Sequence, residues 1–155
     1  MLHRIGIAGP QGFPNAPFDD ILESVQAFCT ANPVPVDRLV AFNEAWNGLA
    51  YRVTAAHDSS DEYSASFAGF GSMPPPEERY KQERALFNFF ANALSALETM
   101  GRGQYVIGSL LIPTAFTKNR PYLQDVYRDY LGNYPTEAVT TELARLIAEP
   151  QFIVD

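Results

Sequence analysis

The stretch EERYKQERALFNFFANALSALETM, residues 77–100, decides the fold. It is too long for a strand and no proline or glycine interrupts it, so it predicts a single helix. Pro76 stands just ahead of it and Glu77 and Glu78 fill its first turn, where a fixed φ and negative charge both suit the free amides of a helix start. At roughly 100° per residue, Lys81, Arg84, Asn88, Asn92, Ser95, Thr99 and Arg102 fall within about 80° of arc. Leu86, Phe89, Phe90, Ala93, Leu94, Leu97 and Met100 make up the main apolar face, with Phe87, Ala91 and Ala96 on its flanks. A helix that is apolar over most of its circumference is one around which others pack. Gly101 and Gly103 are expected to kink or end it, and a further apolar helix is expected from about Gln104 to Leu111, ahead of Pro113.

On the amino-terminal side, Phe18, Ile21, Leu22, Val25, Phe28 and Cys29 recur at helical spacing until Asn32-Pro33 stops them. A second helix is expected to start near Asp37, whose carboxylate can cap free amides, and to run to about Ala56. Residues 57–76 are rich in Ser, Gly and Pro and close on three prolines, which predicts a long loop, held in order by Tyr63, Phe67, Phe70 and Met73. Beyond the central helix, the pattern predicts one helix from about Pro121 to Leu131 and another opened by Thr136, with Val139, Leu143, Leu146 and Ile147 on one face. Residues 1–17, with their glycines and prolines, read as an irregular N-terminal arm. Phe152-Ile153-Val154 is apolar enough to dock or to form an interface. The expectation is therefore an all-α, single-domain bundle over 1–155, with five or six helices around the one at 77–100 and a long ordered loop at 57–76.

Composition bounds the function. The chain has 155 residues, is 46% hydrophobic and carries 11 Phe and 8 Tyr, values of a globular domain rather than a disordered one. Its net charge of -7 lies in the first half: residues 1–78 hold three basic and ten acidic side chains, whereas 79–155 hold eight of each. That field repels phosphate backbones, so nucleic-acid binding is not expected. Charged residues are only 19% of the chain, below the roughly 25% of ordinary soluble domains, and this points to surface covered by a partner, such as a second copy in a homodimer. A lone cysteine, Cys29, forms no intrachain disulfide, and no basic segment followed by an apolar run opens the sequence, so the expected compartment is the cytoplasm. The most apolar stretch, Tyr105 to Phe116, is too short to span a bilayer and contains Pro113, so no membrane association is expected.

Candidate chemistry is sparse. Arg4 to Gly12 looks like the strand and turn of a phosphate-binding loop, but Pro14, Asn15 and Ala16 stand where its second glycine, lysine and hydroxyl belong. His57, Asp58, Asp61 and Glu62 hold ligand-type atoms, yet His3 is the only other histidine and no metal-ligand spacing is present, so neither metal nor cofactor is expected. Tyr122, Tyr127, Tyr130 and Tyr134, with Arg120 and Arg128, read as a packed tyrosine face or a protein interface. The one motif of catalytic type is Arg52-Val53-Thr54-Ala55-Ala56-His57, an R-x4-H spacing that resembles the pattern of HEPN-type helical domains, many of which are ribonucleases. The resemblance implies that Arg52 binds the scissile phosphate and that His57 serves as acid or base. It covers six residues, with Val at a position often polar in that family.

The polar stripe offers a different reading. Arg84, Asn88, Asn92, Ser95 and Arg102 place short amides at mid-helix, where Asn costs on the order of half a kcal/mol relative to Ala. Flanked by other helices, they become a polar cleft with arginines at its ends, suited to a small anionic ligand or to a partner helix. The primary expectation is a non-enzymatic helical module that self-associates and binds a protein partner or a small ligand. The alternative is a HEPN-like ribonuclease using Arg52 and His57.

Overall fold

The computed structural model describes residues 13–148, and these form five α-helices with no strand. They are α1 (Asn15–Ala31), α2 (Val36–Phe70), α3 (Pro76–Leu111), α4 (Leu123–Asn133) and α5 (Ala138–Ala148). The all-α expectation holds, and three of its details are corrected. Residues 57–70 are not a loop but the second half of α2, so the connection to α3 shrinks to residues 71–75. Likewise α3 does not stop at Gly101 or Gly103 but continues unbroken to Leu111. Of the proposed N-terminal arm, residues 15–17 already belong to α1; residues 1–12, with the loop-like motif at Arg4–Gly12, lie outside the described residues.

Two long antiparallel helices, each roughly 50 Å at 1.5 Å per residue, thus form a hairpin that dominates the molecule. The seam between them explains why the serine-rich half of α2 is helical. Ala45, Leu49, Arg52, Ala56, Ser59, Tyr63 and Ser66 recur at 3–4 spacing on α2. Gln82, Ala85, Phe89, Asn92, Ala96, Thr99, Gly103, Val106 and Leu110 do so on α3. Small side chains predominate in both rows, which lets the backbones approach closely. Serine's weak helix propensity is offset by this pairing, and the Thr54 and Ser59 hydroxyls donate back to Ala50 O and Ala55 O within the helix. The register is fixed by Ser66 with Glu78, Glu62 with Arg84, Arg52 with Asn92, and Arg102 with Glu44.

The turn needs glycine at one position. Gly71 has φ 64° and ψ -155°, a region open essentially to glycine alone, and its carbonyl accepts from the buried Gln82 side chain. Within α3, Gly101 and Gly103 serve close packing: a Cβ on Gly103 would lie 3.3 Å from the Trp46 ring, and one on Gly101 would lie 3.0 Å from Leu123. Both are therefore sites of contact, not of kinking.

Everything else packs on the base of this hairpin. Phe18, Leu22 and Val25 of α1 bury against Phe42, Trp46, Ala50, Val106 and Leu110. Phe18 stacks on Trp46 at 5.0 Å, and Trp46 Nε1 donates 3.0 Å to the Phe18 carbonyl. Cys29 packs partly buried against the same cluster, and burial raises its thiol pKa. On the other side, Tyr105, Phe116, Val126, Tyr130 and Leu143 bring α4 and α5 onto the last turns of α3. The tyrosines of α4 pack as expected: Tyr130 is buried and Tyr127 and Tyr134 cover the cluster, whereas Tyr122 is exposed. Asp125 caps α4 by accepting from the Tyr122 amide at 3.1 Å, and its hydrogen bond to Lys118 holds its carboxyl below the usual pKa. At α5, Val139 packs and Leu143 is buried on the predicted face; the side chains of Leu146 and Ile147, and the Phe152–Val154 segment, lie outside the described residues. No helix among the described residues is long and apolar enough to cross a membrane.

Candidate functional site

Because α1, α4 and α5 all sit at the base, the distal half of the hairpin stands, among the described residues, as an arm. Along α3 the seam with α2 occupies one face. Roughly opposite it, at ~100° per residue, runs a second row at 3–4 spacing: Phe87, Phe90, Leu94, Leu97, Gly101, Tyr105 and Gly108. Its carboxy-terminal half is covered, since Gly101 abuts Leu123 and Gly108 abuts Phe116. Its distal half is bare. Phe87 is 72% exposed, Leu94 55%, Phe90 47% and the adjoining Leu86 40%. No charged residue occurs from Ala85 to Leu97, thirteen consecutive positions of a surface helix. The sequence reading placed Leu86, Phe90 and Leu94 on the face that packs and Phe87 on its flank; the structure turns them outward.

The polar stripe, in contrast, lies along the seam with α2. Asn92 Oδ1 accepts from Arg52 Nη1 at 3.1 Å while its amide donates 2.9 Å to the Asn88 carbonyl. Thr99 donates to Ser95 O at 2.6 Å. Arg84 pairs with Glu62, and Arg102 reaches Glu44 at 3.9 Å rather than its own-helix neighbour Glu98. The five candidate ligand residues thus line one flank of the hairpin; Arg84, Asn92 and Arg102 reach α2, and the Asn88 and Ser95 carbonyls accept from Asn92 and Thr99. Only the Arg102 end opens outward, onto a surface cavity of about 280 Å³ lined by Glu98, Thr99, Arg102, Arg120, Pro121 and Tyr122.

Arg52 and His57 are not brought together. Five residues apart on one unbroken helix, they point about 140° away from each other. Arg52 turns to Asn92 on α3, and His57 Nδ1 lies 3.3 Å from Asp61 Oδ2 on the outer side of α2.

With the geometry in place, the chain can be set beside known proteins. No family model, curated protein or solved structure matches it. The signal that locates the bare ridge was present in the sequence as the uncharged run 85–97 and the second 3–4 row. What hid it was that α3 is apolar on several sides, so hydrophobicity alone did not say which side faces α2.

Proposed function

We propose that this chain is a non-enzymatic helical module that works by self-association, using the distal arm of the α2–α3 hairpin as its interface. The observation that carries this reading is the outer row of α3: Leu123 and Phe116 cover it at Gly101 and Gly108, while its distal half presents Phe87, Phe90 and Leu94 to the outside. A contiguous exposed apolar row on a helix is the kind of surface that association covers. The seam supports the same reading, because Phe87 and Phe90 of α3 are turned outward rather than toward α2.

The test is sedimentation equilibrium between about 1 and 100 µM, alongside the Leu94→Glu variant. The native chain is expected to exceed the 17.2 kDa of one copy in this range, and Leu94→Glu to return it to that mass with an unchanged circular dichroism spectrum. A native chain that stays monomeric at 100 µM refutes the reading.

A further inference from the structure

We infer that the occupant of the bare ridge is a second copy of this chain, whose α3 crosses the first antiparallel about a two-fold axis, with Phe90 of each copy against Leu94 of the other. This rests on the self-association reading and adds partner, direction and register.

Three observations select this geometry. The first is area. At roughly 200 Å² per large side chain, the exposed fractions of Leu86, Phe87, Phe90 and Leu94 amount to on the order of 400 Å² per copy. Two copies bury about 800 Å² of apolar surface. Since about 65% of a homodimer interface is apolar, this corresponds to about 1,200 Å² in all, the lower end of specific interfaces. A reversible dimer in the micromolar range is the expected strength.

Charge is the second. Arg84 and Glu98 bound the uncharged span at its two ends and lie on the same edge of the outer row. An antiparallel crossing sets Arg84 of each copy on the side of Glu98 of the other, twice by symmetry, with Ala91 leaving room between them. A parallel crossing leaves each Arg84 level with the other Arg84 and each Glu98 level with the other Glu98 on opposite edges, so no opposite charges are brought together. Docking α3 onto α2 of a second copy brings Glu98 toward Asp58, Asp61 and Glu62, with only Arg84, already paired with Glu62 of its own chain, to answer them. For a chain of net charge -7, the uncharged α3 ridge is the surface that two copies can share at least electrostatic cost.

Extent is the third. From Gly101 onward α4 covers the same row, so the free contact is limited to about three turns, residues 86–97. Two helices meeting over so short a length cross rather than coil. The commonest crossing, near 50°, carries each hairpin tip clear of the other copy's α4.

The experiment uses the full chain with Cys29→Ser and a single new thiol. Ala91→Cys is exposed and sits beside the proposed axis; Ala65→Cys is exposed on the α2 side of the arm and lies away from it. Disulfides form only between Cα atoms within about 7 Å. Mild oxidation is expected to convert most of the Ala91→Cys chain, and little of the Ala65→Cys chain, to a covalent dimer on a non-reducing gel. Adding Leu94→Glu is expected to weaken the dimer at least 100-fold and to abolish the Ala91→Cys crosslink. A chain that sediments as a dimer yet crosslinks equally at both positions, or only at Ala65→Cys, overturns this geometry and leaves self-association standing. A monomer overturns both. A monomer that floats with vesicles containing phosphatidylserine, and loses this with Leu94→Glu, assigns the ridge to a lipid surface and overturns the second-copy occupant.

Discussion

Gly108 is the position where the packing of α4 and its preceding loop on α3 can be tested most sharply. A Cβ built there would fall 2.6 Å from Phe116 Cε1 and 2.7 Å from both Cδ1 and Cζ, against an ordinary carbon contact of about 3.5–4.0 Å. The ring would have to retreat by about 1 Å. It has nowhere to go: Phe116 is 0% exposed and is wedged edge-on between Tyr105 at 5.2 Å and Tyr130 at 5.0 Å. Gly108→Ala gains about 1 kcal/mol of helix propensity, while overpacking a tight core costs about 1–3 kcal/mol or more. The forced displacement of a fully enclosed aromatic ring belongs at the upper end of that range. A net loss of about 2 kcal/mol is expected, lowering Tm by about 4–8 °C in a chain of this size. Gly69→Ala is the control, because a Cβ there meets nothing within 4 Å; it should be neutral or slightly stabilising. Phe116→Leu in the Gly108→Ala background should recover part of the loss. Thermal melts followed by circular dichroism decide the matter, and a Gly108→Ala chain as stable as the native one refutes the placement of Phe116 against α3.

Two further outcomes follow from groups at the base and the seam. Burial, reinforced by the neighbouring Tyr134, pushes the Tyr130 hydroxyl pKa up to about 12, whereas an unfolded tyrosine ionises near 10. Below pH 10 both states hold the proton and nothing changes. Between pH 10 and 12 only the unfolded state loses it, so stability should fall with rising pH by up to about 2 kcal/mol. Urea midpoints at pH 8, 10 and 11.5 check this, and Tyr130→Phe should remove that part of the slope. Asn88→Leu combined with Asn92→Leu removes the bond to Arg52 but gains helix propensity, so stability should change by no more than about 1 kcal/mol. Sedimentation should be unaffected, since these side chains line the seam flank rather than the outer row; altered assembly would move the interface to that flank.

The helices themselves were legible in the sequence wherever periodicity met clear punctuation. α1 with Asn32 at its end, the start of α3 at Pro76, and α4 with Gly132-Asn133 at its close all lie within a few residues of where they were expected. The failures share one cause. Residues 57–70 looked like a loop because Ser and Gly are poor helix formers. Yet those small residues are what a close helix–helix seam requires, and pairing with α3 outweighs their propensity. Gly101 and Gly103 looked like breaks for the same reason, when the missing Cβ atoms admit Leu123 and Trp46. Small residues at 3–4 spacing read locally as weakness and tertiarily as contact, and only the opposing helix distinguishes the two.

The site was harder to read because amphipathic logic assumes that the apolar side of a helix faces its own chain. On α3 that assumption holds near the base, where the outer row meets Leu123 and Phe116, and fails over the distal arm, where Phe87, Phe90 and Leu94 face outward. The Asn and Ser residues, which looked like a site because they were out of place on a solvated face, are in place beside the small-residue seam. The run of thirteen uncharged positions is the more telling anomaly. Helix propensity and solubility favour Glu and Lys on an exposed helix surface, and neither appears between Arg84 and Glu98. An interior element would explain that composition, but α3 here is not interior. The physical way to reconcile an interior composition with an exposed position is a surface that becomes interior on assembly, and the opposite charges at the two ends of the run set the direction in which a second copy arrives.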